Sequence, residues 1–167
     1  PLAFMLVLSF GINRMSASTA QILFWAFSAA MGVSLASIFV VYTGASIARV
    51  FFISAATFGA MSLYGYTTKR NLAQFSSFLF MGVVGVFIAS IVNIFLGSAG
   101  LSFVISVIGV LVFTGLAAHD TQMIRDWYVE GDEAGTATKK AVYGALSLYL
   151  DFLNLFLMLL RLFGERR

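Results

Sequence analysis

Three long runs without a charged residue constrain this chain more than any other feature. They cover residues 15–48, 50–68 and 71–118, and each is long enough for at least one membrane-spanning helix. Charged residues make up only 10% of the chain, whereas soluble domains carry about 25%. Lipid offers the backbone no partners, so each apolar segment must form a helix or belong to a closed barrel. Because the runs lack the alternation of barrel strands, the sequence predicts an all-α integral membrane protein.

Polar turn sequences divide the chain into six apolar segments, which predict six transmembrane helices within a single domain, residues 1–167. The segments cover residues 1–12, 20–42, 46–66, 75–96, 101–128 and 141–163. Gly, Ser and Thr at most of the breaks are ordinary turn signals, and a charged loop, residues 129–140, separates the last two segments. The first segment is short for a span and the chain begins without Met, so we expect a further segment upstream.

Lys and Arg predict the orientation of the bundle, because cytoplasmic loops carry an excess of both. The first, third and fifth loops carry Arg14, Lys69 with Arg70, and Lys139 with Lys140, whereas the second and fourth loops carry none. The charged loop before the last segment is therefore predicted to be cytoplasmic and the C-terminus to lie outside. The basic C-terminal tail opposes this orientation, and a last segment that re-enters and returns inside is the alternative.

Small residues recur four positions apart at several places, a spacing that lets helices approach closely in lipid. We expect these positions to serve ordinary helix packing. The pairs are Gly32 with Ala36, Ala55 with Gly59, and Gly85 with Ala89.

Composition and motifs also narrow the chemistry. The net charge of +3 is small and scattered, which argues against nucleic acid as a partner. The chain has no Cys, no P-loop, no dinucleotide glycine motif and no HExxH motif. His119 is followed directly by Asp120, and neighbours on a helix point about 100° apart, so the two are not expected to orient one another in a triad. We expect neither a cofactor nor enzymatic activity.

Two carboxylates carry the strongest functional signal, namely Asp120 in GLAAHDTQ and Asp151 in LYLDFLNLF. An acid at the centre of a membrane helix costs roughly 2.5–3.5 kcal/mol on insertion scales, so a chain that keeps Asp151 is expected to use it. If the two acids meet, both cannot ionise cheaply and the pair shares a proton. The ionised pair would be an oxygen-rich site for transient calcium binding. The alternative is that Asp120 caps the bundle at the interface, while Asp151 bonds to a buried Ser or Asn.

Two further polar residues are candidates beside this pair. Arg14 ends the first segment at the inner face, where it either pairs with Asp120 or serves only as a topology signal. Asn93 lies within the fourth segment and offers either an oxygen to the site or a hydrogen bond between helices.

Four stretches, SLYGYTTKRNL, VNIF, GVLVFTGLAAHDTQMI and GALSLYLDFLNLFLMLLRLFG, resemble the transmembrane Bax inhibitor motif family in its proteobacterial branch. The resemblance covers the second to the seventh helix of the family. It implies a seven-helix bundle with the last helix at the centre, embedded in the lipid bilayer of a bacterial inner membrane.

The resemblance also implies a pH-sensitive calcium leak. In the family pattern, Asp120 and Asp151 fall on the paired aspartates that sense pH, and Arg14 falls on an arginine that latches to Asp120. His119 stands where the family often has Tyr, which could add a second titrating group. Calcium is then the ion that passes through, not a bound cofactor.

A second function fits the same sequence, namely a non-transporting modulator of membrane stress that binds other membrane proteins. The family is linked in bacteria to a membrane-bound AAA protease, which such a modulator would contact. An intramembrane hydrolase would need a metal or an activated nucleophile, which one His and two Asp do not supply. Ion flux through the pure protein in liposomes separates the leak from the modulator.

Overall fold

The computed structural model describes residues 11, 14–127, 131 and 133–166. This part of the chain is almost entirely helical, and the predicted all-α membrane fold is confirmed by five helices long and apolar enough to cross a membrane. They are α1 (Ala17–Leu35), α2 (Gly44–Thr67), α3 (Ser76–Leu96), α4 (Ala99–Asp126) and α5 (Ala134–Phe163). A short helix, Ile38–Val41, follows α1, and a 3₁₀ turn, Leu72–Phe75, precedes α3. The first predicted segment lies outside the described residues apart from Gly11.

The polar breaks in the sequence act as helix caps. Side-chain oxygens of Ser16, Thr43 and Ser98 accept hydrogen bonds from backbone N–H groups in the first turns of α1, α2 and α4, at 3.1, 3.3 and 3.1 Å. Such bonds satisfy donors that a helix start otherwise leaves open. The helix α3 ends at Gly97 with a φ of 60°, a left-handed conformation that glycine adopts without strain.

The last helix begins earlier than hydropathy predicted. It starts at Ala134 rather than Ala141, so the second half of the predicted loop 129–140 is helical. Hydropathy marks where lipid begins, whereas a helix can start in water with several polar turns. Lys140 in this extension donates to the Trp127 carbonyl at 3.1 Å and so ties α5 to the end of α4.

The antiparallel helices α4 and α5 form the centre of the described bundle. α5 packs against α4, α2 and α1, while α3 packs on α4. The last helix is thus central, as the resemblance implies, but α4 shares that position because it contacts α2, α3 and α5. Ile124 lies against Gly144, and Met158 lies against Gly109 further along the pair. These contacts set the register of α4 against α5.

Large apolar side chains cover the outer faces of the bundle, which is the surface expected of helices in lipid. Soluble monomers rarely expose continuous apolar surface of this kind. The most exposed examples are Val33, Val40, Phe52, Ile94, Phe95 and Leu111.

The closest contacts between helices occur at glycines that are not part of the predicted small-residue pairs, which are spaced four residues apart. Gly32, Gly59 and Gly85 have nothing within 4 Å of a Cβ built on them, so the predicted close approach at these positions is wrong within the described residues. A Cβ on Gly65 would instead lie 2.7 Å from the carbonyl carbon and 2.8 Å from the Cα of Ala118. Spacing alone does not show which face of a helix meets its neighbour, and Gly59 is exposed whereas Gly65 is buried.

The variant Gly65→Ala is expected to destabilise the bundle, because its methyl group would meet the α4 backbone, which cannot rotate away. Overpacking of this kind lowers the free energy of unfolding by roughly 1–3 kcal/mol. The measurement is the Tm of the purified protein in detergent, followed by tryptophan fluorescence. Gly59→Ala on the same helix is the matched control and should leave Tm close to the wild-type value. Equal Tm values for both variants would show that α2 and α4 do not approach closely at Gly65.

Candidate functional site

Asp120 on α4 and Asp151 on α5 face each other inside the bundle. Only 9% of the Asp120 surface and 5% of the Asp151 surface are exposed. Their side chains are close enough to interact, and both residues line one cavity. An ionised carboxylate can only accept hydrogen bonds, so a direct bond between the two groups requires a proton on one of them.

The extension of α5 explains how the two acids come to the same depth. The ring of Trp127, just past the end of α4, lies 5.4 Å from the ring of Tyr143, so the end of α4 is level with Tyr143 and not with the start of α5. Counted from these rings, Asp120 and Asp151 each lie about two helical turns further into the bundle.

The shared cavity has a volume of about 520 Å³ and lies between α3, α4 and α5. Its apolar wall is formed by Val83, Val86, Phe87, Phe113, Leu116, Leu150 and Met158. Three neutral polar side chains also line it, namely Ser90, Ser147 and Asn154. No Lys or Arg is found among the described residues that line it.

The neutral polar groups donate to their own helices and not to the acids. The hydroxyls of Ser90 and Ser147 donate to carbonyl groups four residues earlier, at 2.7 and 3.1 Å. The side-chain amide of Asn154 donates to the Leu150 carbonyl at 2.8 Å. The alternative in which a buried Ser or Asn satisfies Asp151 is therefore wrong here, and Asp151 Oδ2 has no partner among the described residues.

His119 contacts Asp120, contrary to the expectation from helix geometry. Its Nδ1 lies 3.0 Å from Asp120 Oδ1, and both side chains are 12% exposed. Although neighbouring Cβ atoms diverge on a helix, rotation about the side-chain bonds brings the ring and the carboxyl back together. His119 also lines a separate cavity of about 400 Å³ with Ser76 and Ser77 at the start of α3. It thus stands between that cavity and the aspartate pair.

The structure does not bring Arg14 or Asn93 to the pair. Arg14 is exposed and forms no ion pair with Asp120 in the part of the chain that is described, so the latch stays a prediction for another state. The Asn93 side-chain oxygen accepts from the Ser98 backbone N–H at 3.0 Å. The interpretation that Asn93 offers an oxygen to the site is therefore wrong, whereas its bond does link α3 to Ser98, the cap of α4.

Comparison with known proteins bears on the family resemblance directly. The family described as inhibitor of apoptosis-promoting Bax1 matches residues 1–167, the whole chain. The chain belongs to the Bax inhibitor family. The family prediction made from the sequence is thereby confirmed.

Relatives of this Bax inhibitor family member occur in several bacteria. The inner membrane protein YbhL of Escherichia coli is 51% identical over 168 residues, which cover 99% of this chain and 72% of the relative. A protein of Rickettsia prowazekii is 52% identical over 169 residues, which cover 100% of this chain and 71% of the relative. A protein of Caulobacter vibrioides is 48% identical over 169 residues, which cover 100% of this chain and 67% of the relative. Together with the five apolar helices, these relatives confirm a multi-pass integral protein of the bacterial inner membrane.

Sequence reasoning missed three of the residues that line the aspartate cavity of this Bax inhibitor family member. Ser147 and Asn154 lie four residues before and three residues after Asp151, which places all three on one face of α5. The helical spacing from Asp151 could therefore have predicted that Ser147 and Asn154 lie beside it. Ser90 lies on another helix, and no spacing in the sequence relates it to the pair.

Gln122 was also missed, although it connects α4 to the loop between α2 and α3. Its Oε1 accepts from the Leu72 N–H and its Nε2 donates to the Arg70 carbonyl, both at 2.7 Å. Gln122 is buried and lies two residues past Asp120. Arg125 adds a bond to the Tyr66 carbonyl. These bonds hold the loop against α4 near the aspartate pair.

The variant Gln122→Leu is expected to loosen this loop, because it removes two hydrogen bonds and leaves the buried Leu72 N–H without a partner. A loss of this kind costs about 1–3 kcal/mol. Hydrogen–deuterium exchange of residues 68–75 should become faster than in the wild type. Gln74→Leu changes an exposed glutamine of the same segment and serves as the control. Exchange that is equally fast in wild type and Gln122→Leu would contradict the role of Gln122.

Proposed function

We propose that this Bax inhibitor family member is a pH-sensitive calcium leak channel, gated by a proton that Asp120 and Asp151 share. The observation that supports the proposal best is the contact between two buried carboxyl groups that also line a cavity. Apolar helices surround this contact, so Asp120 and Asp151 are ionisable groups in an otherwise apolar part of the bundle.

The physical basis of gating is the number of charges that the pair can hold. Two ionised carboxylates at hydrogen-bonding range repel each other, and both have lost their water. A single proton removes one charge and lets one carboxyl of Asp120 and Asp151 donate to the other. Loss of that proton adds a charge at the main contact of the bundle, between α4 and α5. The packing of these two helices is therefore coupled to pH.

The chemistry of the cavity wall favours a cation as the passing ion. Ser90, Ser147 and Asn154 direct their hydrogen atoms to backbone carbonyls, so their oxygen lone pairs remain available. Carboxylate, amide and hydroxyl oxygens are the ligands that Ca²⁺ prefers. The described residues contain no cluster of three or more His, Cys, Asp or Glu arranged for a metal ion. Two carboxylates with neutral oxygens suit brief binding during passage.

His119 gives the pair a route for protons. The imidazole contacts Asp120 through Nδ1 and also borders the cavity at the start of α3. An imidazole can accept a proton at one nitrogen while the other donates. We therefore assign His119 to proton exchange with Asp120.

The variant Asp151→Asn tests the shared proton. Asn keeps the size of the side chain and removes the charge, so the fold should survive. In liposomes, calcium flux through the wild type should change between about pH 5 and 8. Flux through Asp151→Asn should show a flattened pH profile, because the pair can no longer change its charge at that member.

Asp126→Asn is the matched control, since it removes an exposed carboxylate from the end of α4 and should keep the wild-type profile. A wild-type profile in Asp151→Asn would make the aspartate pair structural. Absence of calcium flux in the wild type would instead favour the non-transporting modulator that binds membrane proteins such as an AAA protease.

The variant His119→Gln tests the contribution of the imidazole. Gln can still bond to Asp120 but cannot pass a proton to it, so the pH profile of calcium flux should differ from that of the wild type. Thr121→Val is the control, because Thr121 bonds to the Ala117 carbonyl of its own helix. An unchanged profile in His119→Gln would limit His119 to packing.

A further inference from the structure

A second polar cavity lies at the opposite end of α4 from the aspartate pair. It has a volume of about 540 Å³ and is formed between the N-terminal turns of α4 and the C-terminal end of α5. Ser98, Ser102 and Ser106 line it from α4, and Arg161 and Arg166 line it from the end of the chain. The serines follow at intervals of four residues and so mark one face of α4 over about 12 Å.

We propose that this cavity binds a phosphate group, carried by a phospholipid headgroup or by free phosphate. The proposed function of the aspartate pair does not enter this inference. Three independent features of the cavity support it: two arginines and a buried hydroxyl that have no partners among the described residues, and the start of a long helix.

The two arginines supply positive charge that no carboxylate of the described residues neutralises. Among the described residues, neither Arg161 nor Arg166 forms an ion pair. The neighbouring acid, Glu165, pairs with Arg49 at 3.6 Å and does not line the cavity. The Arg166 guanidinium lies 5.8 Å from the centre of the Tyr42 ring, a cation–π contact that holds it in place.

The start of α4 adds backbone donors on the same side. Ser98 caps this 28-residue helix, and its Oγ accepts from the Leu101 N–H at 3.1 Å. The hydroxyl proton of Ser98 is therefore free to be donated to a ligand. Backbone N–H groups at a helix start, together with the helix dipole, favour an anion.

Ser106 is the feature that points most directly to a ligand. It is only 1% exposed, its Oγ has no partner among the described residues, and it lines the cavity. Ser54 and Ser90 show the usual solution in a membrane helix, because they donate to the carbonyl four residues earlier at 2.8 and 2.7 Å. A buried hydroxyl that does not do so is unfavourable unless another acceptor is supplied.

Phosphate is the anion that matches this set of donors. Its several oxygens can accept from a guanidinium fork, from hydroxyls and from a helix start at the same time. Phe103 lines the same cavity and is 61% exposed, so an apolar group attached to the phosphate has a surface to contact. A phospholipid offers both the phosphate oxygens and an apolar group, whereas free phosphate offers only the oxygens.

Binding to the purified full chain in detergent tests the proposal, with native mass spectrometry as the readout. The probes are dioctanoyl phosphatidylglycerol, dioctanoylglycerol with the same chains and no phosphate, and inorganic phosphate. Phosphatidylglycerol is expected to bind more tightly than dioctanoylglycerol. Competition by inorganic phosphate alone would identify free phosphate as a sufficient ligand, and its failure to compete would identify the headgroup as the ligand.

Two variants place the binding in this cavity. Arg161→Gln should raise the Kd for phosphatidylglycerol about tenfold, and Ser106→Ala about fivefold. Arg49→Gln removes a charge of the same type outside the cavity, and Ser54→Ala removes a buried hydroxyl that already has a partner, so both controls should bind like the wild type. Arg166→Gln repeats the test if Arg161→Gln does not fold.

Two outcomes would overturn the proposal. Equal binding of phosphatidylglycerol and dioctanoylglycerol, without any effect of inorganic phosphate, would show that no phosphate group is recognised. Unchanged affinity in both Arg161→Gln and Ser106→Ala would show that phosphate binds elsewhere on the protein.

Discussion

The contact between the Asp120 and Asp151 carboxyls is the interaction on which the rest of the bundle depends. A carboxylate inside a membrane protein is unfavourable unless it finds a partner, and here Asp120 meets both Asp151 and the His119 ring. A direct bond between the two acids would need a proton on one of them, and their contact needs a fixed register between α4 and α5. The packing of Ile124 on Gly144 and of Met158 on Gly109 provides that register. A slip of one turn would separate the acids by about 5.4 Å.

Both ends of the helix pair are held by hydrogen bonds that involve loops or the tail. Near the aspartates, Gln122 binds the loop between α2 and α3 through two bonds of 2.7 Å. At the other end, the Glu165 carbonyl accepts from the Thr43 N–H at 2.9 Å, and the Glu165 side chain pairs with Arg49. These contacts fix α4 and α5 relative to α2, so a change at the aspartate pair acts on helices whose ends are restrained.

The sequence predicts the parts of this structure that depend on transfer into lipid. It placed the fourth segment at residues 75–96, and α3 runs from Ser76 to Leu96. It also selected Asp120 and Asp151, because the cost of a charge in a membrane helix can be judged from one residue and its neighbours. It missed the early start of α5 and the contact of His119 with Asp120. Those features depend on polar helical turns outside lipid and on side-chain rotation, which hydropathy and spacing do not report.

The two cavities lie along α4 and differ in charge, with the acids in one and the arginines in the other. The acids lie in a cavity without Lys or Arg among its described lining residues, whereas Arg161 and Arg166 lie at the far end, about 21 Å away along the helix when measured from Ser106 to Asp120. A cation that left the acidic cavity toward that end would meet two positive charges in a medium that screens poorly. A phosphate bound beside the arginines would neutralise part of that charge. The proposed phosphate site would therefore lower the electrostatic barrier at that end of the proposed calcium path.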